Sequence, residues 1–389
     1  MEKIIVPDAP FVSDLMSDFI RHSGIKILKN NFTDNDKRFK LSETADEKQL
    51  RDYIAEGRDI AVYSNSENSL SRILKLFEET EFAEKVGLFK DKYKFREILR
   101  QLYPDFYCKK LSRRQLEESD ALSLPYPLVL KPQCGFLSLG VYPLYSPQDF
   151  ENAVKAIRNE VNSFPKDVVN FDNFLLEQMI GGEEYAVDAF FDSSGNPVVL
   201  NIFHHPFAGE QDVGDRIYVT SPSLIAGQLE EITLFLEKLA KITELKNFPF
   251  HIELRKDKNG FVPIECNPLR FAGWCMTDLA YYAYKISTYD CFFNDRRPDW
   301  EKILTECRSG FYYFSIAEVP KNISRKSTVK FDYERFRGQF SECFKMYSFD
   351  SGTNPVFAVL FGYSKDSGEI QEILHRDLLP FITEGRKAE

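Results

Sequence analysis

Apolar positions recur along this chain in two alternating rhythms. Short apolar runs at Lys3–Val6, Ile25–Leu28 and Ile60–Tyr63 have the length of strands. Phe11–His22 carries apolar residues at helical spacing, as do Leu70, Ile73, Leu74 and Phe77. That second helix follows Ser64, Ser66 and Asn68, whose side chains suit an N-cap. The βα alternation over residues 1–88 predicts a small open parallel sheet. It contains no GxGxxG, so it is not a dinucleotide site on sequence grounds. Polar 30–48 reads as a loop.

From residue 89 the rhythm changes. KDKYKFREILRQLY predicts a helix with Phe95, Ile98, Leu99 and Leu102 on one face and Lys92, Lys94 and Arg96 elsewhere, ordinarily a solvated charged face. Leu128–Leu130 predicts a strand ending in Lys131, then a loop holding Gly135, Ser138 and Gly140, then a second strand from Val141. Such a loop exposes amides that can cradle phosphate, and the strand-end lysine adds a point charge. Phe136 and Leu137 are unusual inside it: they either cover a nucleotide or anchor the loop. A helix over 149–163 precedes strands at Phe174–Glu177, Tyr185–Phe191 and Val198–Phe203, with a link at 178–182 and a turn at 193–196. Residues 204–223 read as a long functional loop. Adjacent His204 and His205 fall on opposite faces of a strand, a poor two-ligand metal site. A long helix over 225–243 and a helix near 277–289 bracket the most informative stretch.

That stretch is HIELRKDKNGFVPIECN, 251–267. Two β-prone segments flank a Lys-Asn-Gly turn, which predicts a hairpin. Alternation puts His251, Glu253 and Arg255 on one face, and Glu265 with Asn267. Folding brings Glu253 beside Glu265. Two carboxylates and an amide oxygen form a hard oxygen site suited to Mg²⁺ with phosphate oxygens, unless they are two solvated strand-face glutamates. Cys266 alternates away and reads as a core thiol. Residues 300–389 form a small α+β appendage, with aromatic strands at Gly310–Ile316 and Phe357–Phe361 and a helix at Ile370–Leu379. It shows no catalytic pattern.

Composition narrows the class. At 389 residues, 43% hydrophobic and 28% charged, the chain reads as soluble and globular with several subdomains. A net charge of -10 argues against a nucleic-acid surface as its main business. No signal-like leader and no 18-residue apolar run are present, so neither secretion nor a membrane span is expected. Seven cysteines without a CxxC pair fit free thiols in a reducing cytoplasm. The two tryptophans and many phenylalanines belong mainly to the core.

Taken together, residues 85–300 resemble the ATP-grasp superfamily, of the carboxylate–amine ligase type, with 1–84 like the small α/β domain that usually precedes it. The matching positions are Lys92; Lys131 with Gly135 to Gly140; the hinge Glu177-Gln178-Met179-Ile180; Gly182-x-Glu184 with Asp188; then Glu253 and Glu265-Cys266-Asn267. The expected fold is α/β and α+β in several subdomains. These are a parallel α/β domain at 1–88, a lid with the phosphate loop at 89–176, a nucleotide- and metal-binding subdomain at 177–299, and the appendage at 300–389. The resemblance implies that Lys92, Lys131, Gly135, Ser138 and Gly140 meet the ATP phosphates. It implies that Glu177, Gln178, Met179 and Ile180 read adenine, and that Glu184 binds ribose. Glu253, Glu265 and Asn267 would hold Mg²⁺, with Mn²⁺ as a substitute. Arg255 would stabilise transferred phosphoryl charge or form a structural ion pair. The family's E-x-N-P-R is broken here: Leu269 stands where arginine is usual, and Arg270 follows it.

The implied reaction joins a carboxylate to an amine through an acyl phosphate, releasing ADP and phosphate, and Arg270, Arg255 and Lys131 are its catalytic candidates. Amino acids or a peptide are the expected substrates, with no nucleic acid and no membrane as partner and a homodimer left open. Asp212, Asp215 and Arg216 are expected to line the acceptor side. A thioester-forming ligase, a kinase and a nucleotide-binding regulator without turnover are the other readings of the same residues.

Overall fold

In the computed structural model the described residues are 1–133, 140–160, 172–209, 214–320, 329–350 and 354–384. Glu2–Val6 (β1), Lys26–Leu28 (β2), Thr44–Ala45 (β3) and Ile60–Ser64 (β4) form a parallel sheet in the order β3-β2-β1-β4. Ile4, Ile5, Ile27, Leu28 and Val62 are buried within it, as parallel strands covered on both faces require. Helices Asp14–Ser23 and Glu67–Leu76 begin at Ser13 and Ser66, whose side chains accept from the amides of Met16 and Ser69, three residues on. The expected loop at 30–48 is instead structured. Asn30 and Thr33 close a capping box on helix Asn31–Asn35, a turn at Lys37–Phe39 follows, and β3 adds an edge.

Cys108–Ser112 (β5), Leu128–Pro132 (β6), Tyr142–Leu144 (β7) and Asn173–Gln178 (β8) make an antiparallel sheet ordered β5-β8-β6-β7. Helix Pro147–Glu160 packs on it, and Leu128, Leu130, Phe150, Ile157 and Phe174 form a small core separate from the main one. The basic helix is shorter than its sequence window, running Lys92–Leu99 from an Asp91 cap.

The largest sheet has eight strands, ordered β13-β12-β9-β10-β11-β14-β17-β16. They are Glu183–Phe191 (β9), Pro197–His205 (β10), Ile217–Thr220 (β11), Phe248–Asp257 (β12), Gly260–Pro268 (β13), Phe311–Glu318 (β14), Glu342–Ser348 (β16) and Val356–Ser364 (β17). Val329–Phe331 (β15) and Ile382–Glu384 (β18) pair as a separate ribbon. The C-terminal α+β region is thus joined edge to edge to the central sheet, through β11 and β14.

Three further sequence expectations fail here. Residues 204–223 are not one loop: β10 runs to His205, β11 occupies Ile217–Thr220, and helix Pro222–Thr243 begins at a Ser221 cap. All four β11 residues are buried, so no polar–apolar alternation marks it. The helix near 277–289 is broken into Leu279–Tyr284 and Thr288–Phe293, because Lys285 adopts the left-handed φ of 60° that terminates a helix. The last helix runs Ser367–Leu374 rather than to 379. Among the described residues no helix is long and apolar enough to cross a membrane.

Candidate active site

The β12–β13 hairpin has the register its sequence predicts: Glu253 faces Glu265, and His251 faces Asn267. The pairing slips between Glu253 and Leu254, a bulge beside the two carboxylates. Lys92 Nζ lies 2.5 Å from Glu265 Oε2, and Asn267 Nδ2 donates to Glu265 Oε1 at 3.4 Å. Burial alone would raise the proton affinity of Glu265, but the Lys92 charge outweighs it and holds the carboxyl at about 2. Glu253 has no lysine or arginine ion pair among the described residues, and burial and then the neighbouring Glu265 charge push its proton affinity well up, against a weaker pull from Lys92. Carboxylate, carboxylate and amide oxygens suit Mg²⁺, and the uncompensated Glu253 is what a divalent ion would neutralise. Cys266 is buried on the opposite side, where burial pushes its thiol up.

The β5-β8-β6-β7 sheet meets this site through a buried ion cluster. Glu177 on β8 pairs with Lys131 on β6 and with Arg96 Nε at 3.2 Å. Arg96 Nη1 donates to the Pro263 carbonyl at 3.0 Å, and its guanidinium lies 4.2 Å from the Phe106 ring centroid. Arg96 is therefore a buried clamp between β8 and the β12–β13 hairpin, where the helix pattern placed it on a solvated face. Burial would raise the Glu177 carboxyl, but Lys131 and Arg96 bring it below its ordinary value.

The hinge follows at once. Gln178 N–H donates to the Tyr107 carbonyl at 2.9 Å and Met179 N–H to the Pro127 carbonyl at 3.1 Å, while the Ile180 carbonyl accepts from Arg255 Nη1 at 3.3 Å. Gly182 has φ +87°, and a Cβ there would stand 1.9 Å from the Lys256 carbonyl oxygen. Gly140 has φ 73°. Gly135, Ser138, Phe136 and Leu137 lie outside the described residues.

Glu184 is held from two sides, by Arg255 Nε at 3.1 Å and His205 Nδ1 at 2.9 Å. Arg255 thus forms an ion pair with Glu184. His205 stacks on Tyr218 at 4.1 Å, and Tyr218 OH donates to Asp215 Oδ1 at 2.9 Å. His204 points to the other face, against Tyr185. Asp215 joins the Glu184 network, whereas Arg216 donates to the Leu374 carbonyl at 3.1 Å. Asp212 lies outside the described residues.

Past the hairpin, Leu269 takes φ 57° with its side chain buried, and its carbonyl accepts from Ser64 N at 2.7 Å and Ser64 Oγ at 3.1 Å. This reversal explains the displaced arginine: position 269 points into the core. Arg270 instead reaches Glu67, with Nη2 at 3.2 Å, and Lys90 contacts the same carboxylate. Glu67 and Lys90 were not legible as site residues. The only hint was an acid in the first turn after the Ser66 cap.

Residues 124–278 match the family described as ATP-grasp domain. No curated protein matches the sequence significantly. Among solved structures, the L-amino acid ligase from Bacillus licheniformis is similar at 17% identity and TM-score 0.65, covering 99% of this chain and 98% of that one. N5-carboxyaminoimidazole ribonucleotide synthetase from Thermotoga maritima is similar at 14% identity and TM-score 0.62, covering 99% of both chains. The biotin carboxylase domain of Hydrogenobacter thermophilus 2-oxoglutarate carboxylase, in complex with MgADP and bicarbonate, is similar at 14% identity and TM-score 0.61, covering 99% and 90%. Residues 124–278 thus carry an ATP-grasp domain, within a chain that shares its fold with these solved structures.

Proposed function

We propose that this protein is an ATP-dependent ligase that activates a small-molecule carboxylate as an acyl phosphate and joins it to an amine, releasing ADP and phosphate. The observation that carries the reading is the Glu253–Glu265 pair with Asn267 and Lys92, set beneath the Lys131–Glu177–Arg96 cluster. The likeness to an L-amino acid ligase over both whole chains supports amino acids or a short peptide as substrates.

On this reading residues 89–176 are the lid, 177–299 hold nucleotide and metal, 1–88 precede them, and 300–389 extend the sheet. Glu253, Glu265 and Asn267 hold Mg²⁺, or Mn²⁺ in its place. The ion, when bound, neutralises charge on the transferred phosphoryl group. Lys131 and Lys92 exchange Glu177 and Glu265 for phosphate oxygens, aided by Gly135, Ser138 and Gly140. The hinge 177–180 takes the adenine edge and Glu184 the ribose, with Arg255 orienting Glu184. Arg270, drawn towards Glu67, is placed to meet the substrate carboxylate. Closure of the lid excludes water from the acyl phosphate.

The test is phosphate release from ATP and Mg²⁺ in the presence of pooled amino acids, small acids and amines. Substrate-dependent release that vanishes in Lys131→Ala and Glu265→Ala supports the reading. Release that persists in both variants sinks it.

A further inference from the structure

Asp188 sits in the middle of β9, wholly buried, with a carboxylate that has two donors on one oxygen and none on the other among the described residues. Its Oδ1 accepts from His251 Nδ1 at 2.8 Å and from the Ala272 amide at 2.8 Å. A carboxylate can only accept, so its contact fixes the proton of a neutral imidazole on Nδ1 and leaves a lone pair on Nε2. That nitrogen is aimed at the metal hairpin. His251 lies directly across from Asn267, two residues before Glu253, and its Nε2 stands 4.0 Å from Glu253 Oε1. Two acceptors facing each other at that separation leave room for a donor between them, and a water bound to a cation is such a donor.

We infer that Asp188 and His251 form the outer support of the metal site, with His251 Nε2 accepting from a metal-bound water. Asp188 holds the ring in that tautomer and ties the Arg270 loop to the same point through Ala272. The inference rests on the proposed metal site at Glu253, Glu265 and Asn267. These are positioning residues, and their work is to set metal affinity and the geometry of the hairpin. The alternative is an imidazolium that balances Glu253 and competes with the ion, and it makes the opposite prediction.

The experiment is Mn²⁺ titration of the full chain by electron paramagnetic resonance, with a non-hydrolysable ATP analogue present and no turnover. His251→Phe removes the lone pair. Asp188→Ala keeps the imidazole but removes the acceptor that holds its proton on Nδ1. Both are expected to weaken Mn²⁺ binding by about 10–100-fold while metal-free analogue binding stays unchanged. Unchanged or tighter Mn²⁺ binding in folded variants overturns the inference. Should neither variant fold, weak ¹⁴N electron spin-echo modulation from imidazole near Mn²⁺ in the unaltered protein supports it, and its absence overturns it. If the unaltered protein binds the analogue but no Mn²⁺, the metal-site reading itself fails and the inference with it.

Discussion

Lys92 Nζ lies 2.5 Å from Glu265 Oε2, which leaves Glu253, the cross-strand partner of Glu265, without a lysine or arginine ion pair among the described residues. The two glutamates are therefore unequal before any ligand arrives. Burial and the Glu265 charge raise the proton affinity of Glu253, so the folded chain keeps a proton there that the unfolded chain has lost. Stability from this group is thus fully present below the ordinary carboxyl range and falls as pH rises. Glu253→Gln should raise stability in EDTA by about 1–3 kcal/mol at pH 8 and leave it nearly unchanged at pH 4. Urea unfolding with and without EDTA checks this. The same variant should lose Mn²⁺ binding, a trade of function for stability.

The Lys131–Glu177–Arg96 cluster gives a second prediction. All three side chains are at most 5% exposed. Glu177→Gln leaves two buried cations without their anion and should cost about 3–5 kcal/mol. Lys131→Met leaves Glu177 with Arg96 and should cost less, about 1–3 kcal/mol. The double variant should fall short of the sum of the two, because the second change removes a charge the first left stranded. Denaturant midpoints for the three variants decide it.

How much of this was legible follows from the range of each signal. The Glu253–Glu265 register could be read because alternation and a Lys-Asn-Gly turn are local, and both strands sit within twenty residues. Arg96 could not be placed, since its partner Glu177 is 81 positions away and an arginine beside Lys92 and Lys94 reads as a solvated face. The Arg270–Glu67 pair spans 203 positions. It also depends on the left-handed turn at Leu269, which leucine rarely adopts and no local pattern announces. The β11 strand hid because Ile217-Tyr218-Val219-Thr220 is covered on both faces within a polar neighbourhood.

Gly182 supplies a third prediction, at the hinge. Its φ of +87° disfavours any side chain, and a Cβ would meet the Lys256 carbonyl oxygen at 1.9 Å, a backbone atom that cannot rotate away. Gly182→Ala should cost about 2–4 kcal/mol or shift the lid enough to weaken nucleotide binding severalfold. Gly181→Ala is the matched control, because nothing lies within 4 Å of its added Cβ, and it should change stability by no more than about 0.5 kcal/mol. Thermal unfolding and ATP-analogue titration of the pair separate a hinge effect from general loss of glycine.

A fourth prediction lies away from the nucleotide. Asp278 is buried at the end of the loop that carries Arg270, and Tyr289 OH donates to it at 3.0 Å. Burial pushes its carboxyl up from an ordinary 3.8 to about 7, against hydrogen bonds from Ser13 and Tyr289 that pull it down. Between those two values the folded chain holds a proton that the unfolded chain has released. The sign therefore runs against that of Glu177: the contribution of Asp278 is present at acid pH, falls as pH climbs towards 7, and is level above it. Asp278→Asn retains an oxygen for Tyr289 and has no proton to lose. Its stability relative to the unaltered protein should therefore grow by about 2–4 kcal/mol between pH 4.5 and pH 8. Urea midpoints across that range measure the difference directly, since the other carboxylates contribute equally to both proteins. A difference that stays flat with pH would mean Asp278 is ionised throughout, and the buried-acid account of this loop would be wrong.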